Sequence, residues 1–413
     1  MSSASGTPST ASPSSSPQRV TPTAESPDPE LYDVLAKYNI GRNSSVYLVD
    51  DRLRKRRLVA KVVSYAGHPE ALKDCLREVE IRHAAMDAKI DMKMVKPINI
   101  TFDHTRQTCT FLFEHYAYGC LATFYGTTNG QLLIRNENVL RSLIFDVVFS
   151  LSMLHSKGII HRDLKPDNVM ISINSVQSDP FHSIRSIGNS KTLRGLLTDF
   201  GISRTVSSDS KMTPTMMCAA SYRAPEALMK DAYSFPAEVW SIGCFVYYVV
   251  TGEYMFCDSA HEERPDNPFV LLHNIASEYQ ERKEFHDLTV TAHLKKTTAW
   301  NWRDRLKLLM RENGHTDAFI QDVCDFYQSC HVFYPHKRPT CDQLINKTRL
   351  LTPVFEYYQK TCAPKTPPVT PTTPSTVSSS PTSSLPPTPP PPPPAKTKLP
   401  VSSSLGVVPM IKK

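Results

Sequence analysis

The sequence predicts an α+β fold in two lobes: a small antiparallel-sheet N-lobe with one helix, and a larger helical C-lobe. Three observations predict it. Residues 31–113 are rich in strand patterns, the pattern turns helical after Tyr118-Gly119, and both ends of the chain are built of Ser, Thr and Pro. Proline is high, at 34 of 413 residues, and clusters at those ends. Segments so poor in large apolar residues bury too little surface to offset the entropy of ordering. The expected division is therefore a disordered tail over 1–30, an N-lobe over 31–116, a C-lobe over 117–355 and a second disordered tail over 356–413.

Taken in order, the first tail carries five Ser-Pro or Thr-Pro pairs, from Thr7-Pro8 to Ser26-Pro27. These fit proline-directed phosphorylation as well as simple composition. Val46-Tyr47-Leu48-Val49 and Leu58-Val59-Ala60-Lys61-Val62-Val63 read as strands, joined by the basic run Arg52–Arg57. That run reads as a solvated turn before it reads as a nuclear-import patch. Residues 69–86 read as a helix whose apolar face is Leu72, Cys75, Leu76 and Val79, with Glu78 at its edge. Phe111-Leu112-Phe113 is a further strand.

In the C-lobe, Leu140, Leu143, Ile144, Val147, Val148, Leu151 and Leu154 form one long helical stripe, capped by Asn136 or Asn138. Residues 239–250 are apolar on nearly every side, as suits a buried core helix. No stretch is expected to cross a membrane. Residues 174–190 read as a polar surface insertion. The six prolines Pro389–Pro394 favour a polyproline II rod, which serves either as a spacer or as a ligand for a polyproline-binding partner.

Charge and cysteine usage narrow the function classes. A net charge of +7 is mild, so no nucleic-acid partner is expected. The ten cysteines show no Cys-x-x-Cys pair and no zinc spacing. With no apolar signal segment at the N-terminus, a cytoplasmic or nuclear location is expected.

The chemistry concentrates in His161-Arg162-Asp163-Leu164-Lys165-Pro166-Asp167-Asn168, placed between the long helix and the strand Val169-Met170-Ile171. An acid, bases and an amide on a loop held by rigid elements suit catalysis at the mouth of a cleft. The octet, together with Asp199-Phe200-Gly201, Ala224-Pro225-Glu226 and Lys61 in its apolar strand, resembles the eukaryotic protein kinases of the serine/threonine type. The resemblance covers roughly residues 36–350.

The resemblance implies a bilobal protein kinase fold and transfer of the γ-phosphoryl of ATP to protein hydroxyls, with Mg²⁺. It implies Asp163 as catalytic base, Lys165 as the residue steadying the transferred phosphate, and Asn168 and Asp199 as metal ligands. Hard magnesium suits such oxygen donors. Lys61 would hold the nucleotide phosphates, paired with Glu78 in preference to Glu80. Gly41 and Val46 would cover the nucleotide, the backbones of Glu114 and Tyr116 would bond adenine beside the gatekeeper Phe113, and Met170 would floor the pocket. Arg338 would pair with Glu226, and Arg162 would meet a phosphate on the activation segment, best at Thr213 or Thr215. Ser221–Glu226 leans toward the cyclin-dependent and MAP kinase group, whereas Leu76–Ile81 also resembles Aurora and Polo kinases.

Four departures stand against the family pattern. The phosphate loop keeps only Gly41 of three glycines and is short at its tip. Cys218-Ala219 replaces Gly-Thr, Glu238 replaces an aspartate, and 174–190 is inserted. The short loop and Ala219 motivate an alternative, a pseudokinase scaffold with weak or no phosphotransfer.

Overall fold

A computed structural model describes residues 26–39, 43–86, 93–175, 191–206, 220–229, 233–255, 271–272, 275 and 302–362. Gly41, Thr213, Thr215, Cys218, Ala219, most of the insertion and the proline-rich segment after 362 lie outside the described residues.

The N-lobe is one antiparallel sheet of β1 (Tyr32–Asn39), β2 (Ser44–Asp51), β3 (Arg56–Ser64), β4 (Pro97–Asp103) and β5 (Thr108–Glu114), ordered β1-β2-β3-β5-β4. Register places Val46 opposite Lys61 and Lys61 opposite Phe111. Alternate residues Leu58, Ala60 and Val62 are buried, as one packed sheet face requires. The basic run makes the β2–β3 turn: the Asp51 carboxylate accepts the Leu53 and Arg54 amides, while Arg52 pairs with Asp33 and Arg57 with Asp50. It is a solvated turn tied to its own strands. β1 and β4 carry no clean alternation and were not expected as strands.

Helix α1 (Pro69–Met86) has the expected span, and Leu72, Cys75 and Val79 of the expected face pack on the core, but Leu76 does not. Leu76 is 47% exposed, whereas Cys75, Glu78, Ile81, Arg82 and Ala85 point inward at 2–4%. The inner face also carries two opposite charges that satisfy each other, which hydrophobic periodicity does not register.

The C-lobe starts with the short helices α2 (Leu121–Tyr125) and α3 (Thr128–Leu133), then α4 (Glu137–Ser156). Asn136 is the α4 cap, its side chain accepting the Val139 amide at 3.2 Å. By length and composition α4 is apolar enough to cross a membrane, which corrects the expectation that no stretch is. Its apolar stripe is instead buried in the lobe core, every residue from Val139 to Leu154 on that stripe being at most 2% exposed. Strands β6 (Ile159–Ile160) and β9 (Arg204–Thr205) pair, as do β7 (Val169–Ser175) and β8 (Lys191–Leu197). The first two residues of the insertion, Asn174 and Ser175, thus belong to β7, and β8 begins just after its last residue. Next come α5 (Pro225–Leu228), α6 (Phe235–Thr251), buried from Ala237 onward, and α7 (Trp302–Glu312), α8 (Asp317–Cys330), α9 (Cys341–Lys347) and α10 (Thr352–Cys362).

The packed region extends beyond both expected edges. Ser26 is 3% exposed, and its carbonyl accepts from Arg106 at 2.8 Å. At the other end α10 runs past residue 355 because Phe355 and Tyr358 stack against Phe145 of α4.

A second tether joins the lobes behind the cleft. The Lys93 ammonium donates to Asp146 at 2.6 Å and is ringed by Phe145, Phe149 and Tyr358 at 4.2–5.3 Å. The Lys93 carbonyl accepts from Leu197, and the Val95 amide donates to the Leu197 carbonyl at 2.8 Å.

Candidate active site

The octet lies on the loop between β6 and β7, with Pro166–Asn168 wound into a 3₁₀ turn. His161 anchors its start, with Nε2 2.9 Å from the Thr198 carbonyl and its ring edge-on to Phe200. The Asn168 amide group donates to both the Asp163 carbonyl and the Asp163 carboxylate at 2.8 Å. Lys165 donates to the same Oδ2 at 2.9 Å. The other oxygen, Asp163 Oδ1, is buried and accepts from no group among the described residues. A buried carboxylate oxygen kept open is costly unless a ligand completes it.

Two non-glycine residues here take left-handed backbone conformations, Arg162 at φ 71° and Asp199 at φ 62°. Such conformations persist only where surroundings over-determine them. For Arg162 the cause is Glu238 on α6: its carboxylate accepts the Arg162 amide at 2.8 Å and the His161 amide at 3.2 Å. The extra methylene relative to aspartate is accommodated, and His155 closes the other side at 2.7 Å. Burial works against the charged His155 ring, but the Cys341 sulfur and the Glu238 carboxylate outweigh it and push its pKa up to about 10.

Across the cleft, Lys61 on β3 donates to Glu78 at 3.1 Å and to Asp199 at 2.9 Å. Burial disfavours the Lys61 charge, but these two carboxylates overcome it and raise the pKa above the ordinary lysine value. The Lys61 ammonium in turn holds the Asp199 carboxyl well below the usual carboxylate range. Glu80 is exposed and takes no part. Val46 lies opposite Lys61, Met170 bridges to Cys120 on the floor, and Phe113, Glu114 and Tyr116 form the connection between lobes. The structure therefore brings Lys61, Glu78, Asp163, Lys165, Asn168 and Asp199 into one cleft; Gly41 alone of the expected set is outside the described residues.

Two supports lie farther out. Arg338 grips Glu226 with two bonds of 2.6 and 2.9 Å, and also donates to the Val332, Phe333 and Pro236 carbonyls. Arg204 on β9 is depressed in pKa by burial and by the Arg77 and Arg162 charges, and the Asp74 carboxylate, paired with Arg77 and 3.7 Å from Arg204, offsets part of that positive charge. The charge that remains suits an anion. Sequence reasoning missed Arg82, His155 and Lys93. None belongs to a motif, and each is a single polar residue in a helix or loop pattern.

A family profile described as the protein kinase domain matches residues 32–349. The chain belongs to the protein kinase family. It is 34% identical over 128 residues to the human serine/threonine-protein kinase ULK1, a match covering 31% of this chain and 11% of that protein. It is 27% identical over 209 residues to cyclin-dependent kinase-like 2 of Pongo abelii, covering 50% of this chain and 37% of that one. Mitogen-activated protein kinase kinase 3 of Arabidopsis thaliana is 26% identical over 211 residues, covering 51% and 30%. The matches thus span well under half the length of each of these relatives.

Proposed function

We propose that this kinase-family chain is an active serine/threonine protein kinase, transferring the γ-phosphoryl of ATP to a hydroxyl of a protein substrate. The open Asp163 Oδ1 carries the reading: its twin is held by Lys165 and Asn168, so the free oxygen is aimed and available to accept the substrate hydroxyl proton. Lys165 then steadies the migrating phosphoryl. Lys61, aimed by Glu78, holds the nucleotide phosphates under Val46 and Gly41, and the backbones of Glu114 and Tyr116 hold adenine above Met170.

Asn168 and Asp199 would hold Mg²⁺. The donor set fits: the Asn168 nitrogen is spent on Asp163, which leaves its amide oxygen, and Asp199 is kept ionised. When bound, magnesium screens phosphate charge. The Arg77, Arg162 and Arg204 cluster supports control by a phosphate on Thr213 or Thr215. A polyproline-binding partner for Pro389–Pro394 and a cytosolic or nuclear location complete the proposal.

The test is incubation with radiolabelled ATP and generic protein substrates, beside Asp163→Asn. Label well above that variant supports the reading. Equal background from both proteins, before and after activation-segment phosphorylation, would sink it and leave the pseudokinase scaffold.

A further inference from the structure

Glu78 does not face Lys61 alone. One turn later on α1, Arg82 is 4% exposed and turns its guanidinium back onto the same carboxylate. The two Glu78 oxygens are divided between the cations. Oε2 accepts from Lys61 at 3.1 Å, and Oε1 accepts from Arg82 Nε at 3.1 Å and Nη2 at 2.6 Å. The remaining arginine nitrogen, Nη1, donates to the Val95 carbonyl at 3.1 Å. The planar face is used as well: the guanidinium carbon lies 4.8 Å from the Phe200 ring centre and 5.1 Å from that of Phe113.

Charge explains why an arginine is tolerated there. Lys61, Glu78 and Asp199 together carry one net negative charge in a largely buried cluster. Arg82 brings it to zero, and hydrogen bonds to all three of its nitrogens replace its hydration. Without Arg82, Glu78 would keep one partner, the one whose other bond runs to Asp199. When Lys61 turns toward nucleotide phosphate, Arg82 still holds the carboxylate in place.

We propose that Arg82 is a positioning residue for phosphotransfer, holding Glu78 toward Lys61 from behind while pinning Phe200, and through it Asp199, in the cleft. This assembles the lysine–acid pair by contacts internal to the chain. The proposal rests on the kinase reading above for its kinetic arm and is independent of it in its binding arm.

The experiment compares wild type, Arg82→Met, Arg82→Lys, Glu78→Gln and the double variant Glu78→Gln/Arg82→Met. Thermal melting reports folding, a fluorescent ATP analogue with Mg²⁺ reports nucleotide affinity, and phosphotransfer to a peptide gives kcat and KM. Arg82→Met is expected to lose about tenfold or more in kcat at an unchanged peptide KM, and to weaken the nucleotide several-fold. Arg82→Lys is expected to recover little, because one ammonium cannot serve Glu78 twice, reach Val95 and stack on Phe200. In the Glu78→Gln background, Arg82→Met should change kcat by less than about twofold, since the two residues act as one unit.

Wild-type kcat in Arg82→Met, or independent multiplying effects of the two substitutions, would overturn the proposal. Should Arg82→Met fail to melt cooperatively, Arg82→Lys decides by the same kcat and KM split. Should wild type transfer no phosphate, the kinase reading falls on its own. Unchanged nucleotide affinity in Arg82→Met and Arg82→Lys would then overturn the Arg82 proposal, and weakened affinity would support it.

Discussion

The Glu238 carboxylate accepts the backbone amide of Arg162 at 2.8 Å, from a helix of 17 residues buried from Ala237 onward, onto a residue held at φ 71°. It also accepts the His161 amide and contacts the His155 ring, so three groups depend on one side chain. Glu238→Asp shortens that reach and cannot serve all three. It should cost about 1–3 kcal/mol in denaturant unfolding, and it should lower kcat by loosening the loop that carries Asp163.

The same contact makes stability depend on pH. His155 is raised to about 10 when folded, from about 6.5 unfolded. Its contribution is therefore complete below the unfolded value and is lost as pH climbs toward the folded one. Glu238 is lowered, against its burial, by the His155 hydrogen bond and charge. Its contribution is present above the ordinary glutamate range and is lost as pH falls through the folded value. His155→Gln should flatten the loss of melting temperature on the alkaline side, measured by scanning calorimetry from neutral pH to pH ~10.

Asp163→Asn keeps the shape of the loop and removes the proton acceptor. The Lys165 and Asn168 contacts adjust to an amide, while Oδ1 loses its basicity. Phosphotransfer should fall by about 10²–10⁴-fold, with circular dichroism and melting temperature close to wild type.

Arg338 and Glu226 form a buried pair far from the reacting atoms, with Arg338 making five bonds in all. Glu226→Ala leaves that guanidinium without its anion. A loss of about 3–5 kcal/mol is expected in denaturant unfolding, and restoring activity by added substrate should fail.

Gly243 on α6 packs closely against the C-terminal end of α8. A Cβ there would meet the His331 ring at 2.5 Å and the Cys330 side chain at 2.8 Å. Gly243→Ala should cost about 1–3 kcal/mol through overpacking, read as a lower denaturation midpoint with an unchanged slope.

Much of the site was legible because its chemistry sits in contiguous strings. The octet at 161–168, Asp199-Phe200-Gly201 and Ala224-Pro225-Glu226 each announce themselves, and the apolar strand around Lys61 marks a charge needing a partner. The long stripe of α4 and the all-apolar run of α6 were legible for a different reason, since unbroken hydrophobicity needs a core. What escaped was every buried charge outside a motif. The inner face of α1 looks polar at Glu78 and Arg82, so periodicity found Leu72, Cys75 and Val79 but added Leu76, which faces solvent, and passed over Arg82. Lys93 and His155 are single residues whose partners, Asp146 and Glu238, lie 53 and 83 positions away. No local pattern encodes such pairs.

Lys93 also has a mechanical consequence. Two of the described attachments between the lobes lie clear of the nucleotide cleft, the strand connection at Glu114–Tyr116 and the caged ammonium behind it. A body pinned at two points keeps a single easy rotation, about the line through them. The sheet can therefore rock like a hinged cover over the cleft, while sliding and twisting are resisted. Tyr358 of the final helix forms one wall of the rear bearing, so the last turns of the described chain help set how freely the cover swings.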